Sequence, residues 1–487
     1  MIHRESVVID KLEDYNQIKK FVKKPYIDKD CLKTLKEKIG TKCKCIEIEN
    51  PYYESDYLSS YYIFYAKKLQ HFPKACYRLL FYADQQKEEF MGYITLRPTY
   101  DGRHIGKIYI EPKYLSTNQM SVILGNHKCH IGGSEAVIRI FPHMEQEGDI
   151  AVCAHVATWS VLRSFSSRFH RYPEILLGEI VEMVSQQSER LIPTRGLTAF
   201  QISQIFLDAG FSPVVLSNSS KNSRLIKEAI ISYIESGIPM VAVLTNRNHA
   251  ISVVGLGPNM SAGSNNLRKR IDEIRPFESY FHEDKECTTQ IVFSSRFYSS
   301  IVVNDDNFFP YAMVNTVAKK TDINAVPYTI GEIDRLIIPL YSRIQLAYED
   351  IRTIFLRYMD THNRKKEVFI GRIFLTSANT FREYINEDCG ALNPDTKAII
   401  LGLEMSRFIW CAEVSTPENY EASEPLVNGL IIFDSTSATV NPDPFLFVAL
   451  PNQDIKYKDT KRFLNSKIPV KDGLNIPRFQ KNLDSIQ

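Results

Sequence analysis

The chain has 487 residues, of which 44% are hydrophobic and 24% are charged. At roughly 150 residues per domain this length predicts about three domains, and the composition excludes bulk disorder and a fibrous repeat. The 59 basic and 57 acidic residues leave a net charge of +2. No overall electric field therefore favours binding to nucleic acid or to an anionic membrane.

The beginning of the chain is charged where a secretory signal would be apolar, as in Lys-Leu-Glu-Asp at 11–14. The best apolar runs, such as 238–244 and 426–433, are too short to span a bilayer. Nine cysteines occur at irregular spacing, which is not the pattern of a disulfide framework. We therefore predict a cytoplasmic protein, with no membrane partner, whose cysteines are mostly reduced thiols.

Residues 1–145 are predicted to form an N-terminal α+β domain. Apolar and aromatic residues recur three and four positions apart over 12–23 and 57–72, which predicts two helices. Four β-rich runs bounded by turn residues predict the strands that follow: 77–82, 90–96, 105–110 and 136–141.

Residues 146–320 are predicted to form a central domain in which helices come first and strands follow. The helical patterns begin near Cys153 and continue at 174–189, 198–209 and 223–236. The apolar strands are predicted at 238–245, 250–256 and 300–305. A polar stretch at 258–290, with few apolar residues, predicts a long surface insertion.

Residues 321–450 are predicted to form a C-terminal α/β domain. A helix is expected at 344–358, and strands are expected at 336–340, 368–375, 408–414 and 430–433. Residues 451–487 are rich in Lys and Arg and poor in apolar residues, so we expect a polar, extended tail.

The segment 146–162 places Cys153 at the start of a predicted amphipathic helix. The N-terminus of a helix has unpaired backbone N–H groups and about half a positive charge, which stabilise a thiolate relative to a thiol. The thiolate is the nucleophilic form of cysteine. Cys153 is therefore a candidate nucleophile, although a small buried residue in a core helix would give the same local pattern.

Two later segments could supply the partners of this cysteine. A polar turn between two apolar strands places His249 at the start of the second strand, where an imidazole can act as a general base. The strand predicted at 300–305 ends in a polar cluster, and Asp305 in this cluster could hold the other imidazole nitrogen. Asp306 or Asn304 could take the same role.

Four stretches together carry a resemblance to a known family: Gln146 upstream of Cys153, the helical stretch 195–211, the segment 239–255, and Val-Asn-Asp at 303–305. Over about residues 146–316 the chain resembles the papain-like cysteine peptidases, in particular the bacteriocin-processing peptidases that act on double-glycine leaders. By this resemblance Cys153 is the nucleophile and His249 the base. Asp305 is the orienting acid, and Gln146 is the side chain of the oxyanion hole. The nucleophile motif departs from the family, with Val-Cys-Ala in place of Asp-Cys-Gly.

The resemblance implies an α+β fold with a central papain-like domain, in which a helix carries the cysteine and an antiparallel sheet carries the histidine and the aspartate. Mixed α/β domains flank it. The implied activity is hydrolysis of a peptide or isopeptide bond through a thioester on Cys153, with no cofactor or metal ion. The expected partners are a protein or peptide substrate and a regulatory protein. Three alternatives stay open: a transglutaminase-like acyltransferase with the same triad, an inactive scaffold that binds a protein partner, and a nucleic-acid-binding role for the basic run 268–270 and the basic tail.

Two other clusters are weaker candidates. Asp-Cys-Gly at 388–390 is closer to the family's nucleophile motif, but no histidine follows it in the sequence. His127, Cys129 and His130 could ligate a metal ion, but no second ligand pair lies at zinc-site spacing. The sequence contains no phosphate-binding glycine loop or dinucleotide fingerprint.

Overall fold

The computed structural model describes residues 2–98, 103–115, 119–147, 152–185, 196–218, 223–259, 289–316, 325–362, 367–440, 442–459, 462–471 and 473–486. These residues form helices and three large β-sheets around an apolar core, which confirms the α+β class. Among them, no helix is both long and apolar enough to cross a membrane. The eight cysteines in this part of the chain are free thiols.

The strands are β1 (His3–Val8), β2 (Cys45–Tyr52), β3 (Cys76–Tyr82), β4 (Phe90–Leu96), β5 (Ile105–Ile110), β6 (Met120–Val122), β7 (Gly125–Ile131), β8 (Ser134–Ile140), β9 (Phe211–Ser217), β10 (Met240–Leu244), β11 (His249–Leu256), β12 (Thr289–Phe293), β13 (Ser300–Asn304), β14 (Ala312–Asn315), β15 (Ala325–Thr329), β16 (Arg335–Tyr341), β17 (Glu367–Ser377), β18 (Phe408–Ser415), β19 (Leu426–Val427), β20 (Gly429–Asp434), β21 (Phe445–Ala449), β22 (Gln453–Asp459), β23 (Arg462–Val470), β24 (Ile476–Pro477) and β25 (Asp484–Ile486). The α-helices are α1 (Lys29–Lys38), α2 (Ser55–Ile63), α3 (Cys153–Arg168), α4 (Leu177–Ser185), α5 (Ala199–Asp208), α6 (Ser223–Glu235), α7 (Tyr348–His362), α8 (Ala378–Glu387), α9 (Pro394–Gly402) and α10 (Pro417–Glu421).

The first sheet contains β1 to β5 in chain order, with every neighbouring pair antiparallel. Three of its strands confirm the runs predicted in the N-terminal region. The segment predicted as a helix at 12–23 is a 3-10 helix over Leu12–Lys20. Helix α2 begins after Glu54, whose carboxylate accepts hydrogen bonds from the N–H groups of Asp56 and Tyr57 and so caps the helix.

The central sheet has the strand order β15-β14-β13-β11-β10-β16-β9, with β6 paired to β11 and β25 paired to β6. The β10, β11 and β13 strands are antiparallel neighbours. Helix α3 packs against β11, and α5 packs against β9 and β16. This arrangement brings the first residue of α3, the first residue of β11 and the residue after β13 to the same end of the sheet.

The sheet does not end at residue 320, where the central region was expected to stop. Strands β15 and β16 continue it, although their residues were expected in the C-terminal domain. An apolar run of five residues predicts a buried strand but does not predict which strand pairs with it, because strand pairing depends on contacts between residues far apart in the sequence. Most of the expected insertion at 258–290 lies outside the described residues, and β12, which follows it, pairs with β17.

The third sheet has the order β12-β17-β18-β20-β21-β22-β23. Helices α7 and α8 pack against β17. The segment 451–487, expected to be an extended polar tail, differs from that expectation. It supplies β22 and β23 to this sheet and β25 to the central sheet, and its apolar residues Ile455, Ile476 and Phe479 are buried.

Candidate active site

Cys153 is the first residue of α3, and its side chain is partly buried. The residue before it, Val152, is extended and has no side-chain acceptor that could cap the helix. The N–H groups of the first turn are therefore not used by a cap at this end. The positive end of the helix dipole therefore lies at the sulfur.

His249 reaches the sulfur through a tight turn between β10 and β11. A 3-10 turn over Thr245–Arg247 leads into Asn248, which has the left-handed conformation with φ 48° and ψ 45°. Asparagine tolerates this conformation better than most residues. The carbonyl oxygen of Asn248 lies 4.0 Å from the sulfur of Cys153, so the turn places the following imidazole beside the start of α3.

Asp305 lies directly after β13 and faces the imidazole. Its Oδ2 is 2.9 Å from Nε2 of His249, whereas Oδ1 of Asp306 is 3.9 Å from the same nitrogen. Nε2 is therefore the nitrogen nearest the carboxylate of Asp305. Asn304 is engaged elsewhere, because its side chain binds the carbonyl of Pro142 and the N–H of Tyr311.

The carboxylate of Asp305 is held by three donors besides the imidazole. The hydroxyl of Tyr328 donates to Oδ2 at 2.6 Å, and Asn307 donates to Oδ1 through its backbone N–H at 2.9 Å and its side-chain amide at 3.2 Å. Burial acts to raise the pKa of Asp305, but its contacts with His249, Tyr328 and Asn307 outweigh it and lower the pKa below the ordinary value. Asp305 is therefore an ionised carboxylate at neutral pH.

The surroundings of His249 favour its protonated form. Burial acts to lower the pKa of His249, but the carboxylate of Asp305 and the sulfur of Cys153 raise it to about 10. An imidazolium next to a sulfur at a helix N-terminus matches the thiolate and imidazolium pair that cysteine nucleophiles use.

Asp306 is the second acidic residue of this cluster. Its two carboxylate oxygens are buried and have no hydrogen-bond partner among the described residues. Burial and the charge of Asp305 raise the pKa of Asp306 to about 7. His249, Asp305 and Asp306 place three ligand atoms within 4.8 Å of one another, so among the described residues they have the spacing of a metal site.

Gln146 lies at the wall of the same cleft as Cys153. Its side-chain amide donates to Oδ1 of Asn307 at 3.4 Å. The buried side chain of Arg97 holds the segment 145–147. It pairs with Glu147 at 2.9 Å and donates to the backbone carbonyls of Glu145 and Gln146. The first sheet therefore holds the position of this glutamine.

The cleft has a volume of about 700 Å³. One wall is the start of α3, a second is the segment Gly196 to Ala199 at the start of α5, and the floor is the end of the central sheet with Val243 and Arg335. Cys153 and His249 both open into it. A peptide segment would therefore have room beside the sulfur.

The competing clusters do not join this site. Burial raises the pKa of the Cys389 thiol to about 11, which disfavours its nucleophilic form. His155 is fully buried on α3, and burial lowers its pKa to about 4. His127 and Cys129 point inward from β7 while His130 points to solvent, as alternation along a strand requires.

Sequence reasoning missed two side chains of the site, Tyr328 and Arg97, and gave Asn307 no role. Tyr328 lies on β15, beyond the expected domain boundary, and Arg97 follows β4 in the first sheet. No local pattern distinguishes either residue from an ordinary buried side chain. The polar cluster at the end of β13 was the only signal that could have indicated Asn307.

No family model, curated protein or solved structure matches this chain. Because a fold alone does not define an activity, any function has to follow from the residues in the cleft.

Proposed function

We propose that this protein is a papain-like cysteine peptidase that hydrolyses a peptide or isopeptide bond. The observation that carries the proposal is the alignment of Cys153, His249 and Asp305 at one end of an antiparallel sheet, in the order nucleophile, base and orienting acid. The helix N-terminus behind the sulfur and the open cleft in front of it support the same chemistry.

In the proposed reaction the thiolate of Cys153 attacks the carbonyl carbon of the scissile amide. The carbonyl oxygen gains the negative charge of the tetrahedral intermediate, and the imidazolium of His249 gives its proton to the leaving amine. A thioester remains on the sulfur. Water, deprotonated by His249, attacks this thioester and releases the carboxylic acid and the thiolate.

The developing oxyanion needs hydrogen-bond donors that are already oriented. The backbone N–H of Cys153 at the helix start is one donor, and the side-chain amide of Gln146 is the second. The amide of Gln146 donates one of its two N–H groups to Oδ1 of Asn307. The second N–H of Gln146 can therefore turn toward the cleft.

The first test is the rate at which iodoacetamide alkylates each cysteine, resolved by mass spectrometry between pH 5 and pH 9. At pH 6 an ordinary thiol with a pKa of about 8.5 is less than about 1% ionised. We expect Cys153 to react at least about 30 times faster at pH 6 than such a thiol, and the His249→Ala variant to lose this excess.

The matched control is His170→Ala, which removes an exposed histidine at the end of α3 and leaves the profile unchanged. A pH profile for Cys153 that follows that of an ordinary thiol in the parent protein would contradict the proposal. Incubation of an active preparation with a primary amine then separates hydrolysis from acyl transfer, because only a transferase forms the amide of the added amine.

A second candidate function rests on the grouping of His249, Asp305 and Asp306, which could hold a divalent cation for metal-dependent hydrolysis. The two candidates differ in their requirements. Activity that survives Cys153→Ser and is lost with a chelator would assign the cleft to a metal enzyme, and the opposite pattern assigns it to the thiolate.

A further inference from the structure

The cleft beside Cys153 contains cationic groups and no acidic side chain among its described lining residues. Arg335 is exposed, and its side chain makes no ion pair or hydrogen bond within the described part of the chain. His249 also lines the cleft, but its imidazole is paired with the carboxylate of Asp305 at 2.9 Å, so Arg335 is the cation of the described cleft that remains without an acidic partner. A lone exposed arginine is ordinary, but its position on the floor of a cleft next to a proposed nucleophile is not.

Two helix N-termini open into the same cleft. The first turn of α3 contributes Val152 to Ala154, and the first turn of α5 contributes Leu197 to Ala199. Each N-terminus carries about half a positive charge. Thr198 and Gln201 cap α5 reciprocally, which satisfies two N–H groups without removing the dipole of the helix.

The sheet register fixes how far Arg335 lies from β11, the strand that begins with His249. Arg335 is the direct partner of Val243, and Val243 is the direct partner of Ala250. Directly paired residues project on the same face of a sheet, and all three line the cleft. Two strand spacings of about 4.8 Å place the backbone of Arg335 about 10 Å from β11, which is the length of about three extended residues.

No ion pair joins a neighbouring acid to Arg335 in the described part of the chain. Asp334, the residue before β16, accepts the N–H of Thr245 through its Oδ2 at 3.0 Å, and its Oδ1 is buried without a hydrogen-bond partner among the described residues. Glu332 pairs with Arg247 at 2.8 Å. The charge of Arg335 is therefore available to a ligand in the cleft.

We infer that Arg335 is a specificity residue that binds a carboxylate of the substrate within about three residues of the cleaved bond. This inference rests on the proposed function, because it assumes that the scissile bond lies at Cys153. The substrate class it names is an acidic peptide. The carboxylate comes either from an Asp or Glu side chain or from a free C-terminus.

The test compares two reagents of nearly equal size that alkylate the same sulfur, iodoacetate with a negative charge and neutral iodoacetamide. We divide the rate with iodoacetate by the rate with iodoacetamide at Cys153. This ratio reports the electrostatic potential of the cleft, because the intrinsic reactivity of the sulfur cancels within each variant. At about 10 mM ionic strength we expect the ratio to fall about threefold in Arg335→Gln and about tenfold in Arg335→Glu.

The matched control is Arg343→Glu, which makes the same charge change at an exposed residue outside the cleft and keeps the parent ratio. Raising the salt concentration to about 150 mM should reduce the difference between the parent and the Arg335 variants. An unchanged ratio in Arg335→Glu would overturn the inference while leaving the proposed peptidase intact. A Cys153 that reacts with neither reagent would instead overturn the proposed function.

Peptide protection separates the two sources of the carboxylate. Seven-residue alanine peptides, blocked at both ends and carrying one glutamate, glutamine or lysine at successive positions, compete with iodoacetamide for Cys153. Protection by the glutamate peptides alone assigns a side chain, and protection by an all-alanine peptide with a free C-terminus assigns a terminal carboxylate. Equal protection by the glutamate and lysine peptides in the parent protein contradicts the inference.

Discussion

At the scale of single residues, Asp305 is the buried carboxylate to which His249, Tyr328 and Asn307 all donate or pair. A buried carboxylate is costly unless it is paired and hydrogen-bonded, and here an imidazolium, a hydroxyl and an asparagine share that task. Burial and the nearby charge of Asp305 raise the pKa of Tyr328 far above its ordinary value. Its hydroxyl therefore remains a donor across the working pH range.

Removing this donor should weaken the orientation of the imidazole. In Tyr328→Phe we expect the pKa of Asp305 to rise toward its ordinary value and kcat to fall about tenfold or more, with a smaller change in KM, since one hydrogen bond to a charged group is worth about 1.5–3 kcal/mol and about 1.4 kcal/mol corresponds to a factor of ten. The acid limb of the pH profile should move to higher pH. If the acid limb of the pH profile keeps its position while the Tm falls, Tyr328 supports only the fold.

His155 gives a prediction about stability and pH. Burial lowers its folded-state pKa from 6.5 to about 4, so the neutral imidazole stabilises the fold above pH 6.5 and this contribution is lost as the pH falls toward 4. The free energy of unfolding of the parent should therefore fall by about 2 kcal/mol relative to His155→Gln between pH 7 and pH 5.

Urea unfolding at the two pH values measures this difference. The exposed His170, replaced by Gln, serves as the control, and its unfolding free energy should follow that of the parent. If the parent and His155→Gln lose stability in parallel between pH 7 and pH 5, the imidazole is not held neutral by burial.

At the scale of elements, α3 is fastened to the first sheet by a buried charge network. Asp56 on α2 accepts the indole N–H of Trp159 at 2.9 Å and pairs with Arg163 at 3.1 Å, both on α3. Lys107 on β5 pairs with Asp56 and with Glu54, each at 2.5 Å. The helix that carries Cys153 is thus positioned by residues outside the central sheet.

We expect Asp56→Asn to destabilise the protein by about 3 kcal/mol or more. The amide keeps an acceptor for the indole of Trp159 but leaves the buried Lys107 and Arg163 with one carboxylate fewer. Denaturant unfolding measures the loss. Asp484→Asn is the control, because its partner Arg139 is largely exposed and such a pair contributes less than about 1 kcal/mol.

The sequence predicts the elements of this fold better than their assembly. Helix α3 begins at Cys153 as predicted, and α5 and α6 begin and end within a few residues of their predicted bounds, because an amphipathic period is a local signal. Strand β9 was missed, since it contains a proline and is partly exposed. The order of Cys153, His249 and Asp305 could be read locally, whereas the contribution of Tyr328 depends on the pairing of β14 with β15, which no local pattern encodes.

At the scale of the whole molecule, the residues near the end of the sequence join the central and third sheets. Arg478 pairs with the buried Glu235 of α6 at 2.9 Å. The side-chain amide of Asn482 donates to the carbonyls of Glu235 and Leu375, at 2.9 and 3.0 Å. These contacts tie α6 to β17, so the two sheets should not unfold independently.

The two tryptophans can test this coupling. Trp159 lies on α3 beside the first sheet, and Trp410 lies on β18 in the third sheet. Fluorescence of Trp410 in Trp159→Phe, and of Trp159 in Trp410→Phe, should each give a denaturation midpoint equal to that of far-UV circular dichroism of the same variant. Adding Asn482→Ala should separate the probes or lower both midpoints, since two buried carbonyls lose their donor.

Gln480→Ala, at an exposed position, is the control for the Asn482 change and should shift each midpoint by less than about 0.5 kcal/mol. Fluorescence and circular dichroism midpoints that already differ in the single-tryptophan variants would show that the two sheets are separate folding units.

The pairing of β25 with β6 has a consequence for how this protein is made. Arg139 lies on β8, soon after β6 in the sequence, and its side chain donates to Asp484 of β25, which is 345 positions later. At about 5–20 residues per second, a ribosome needs between about 17 and 70 s to synthesise that stretch. Throughout this interval β6 has an unpaired edge on the nascent chain. Such an edge is a template for wrong pairing, so a chaperone that shields it until β25 emerges should raise the yield of native protein.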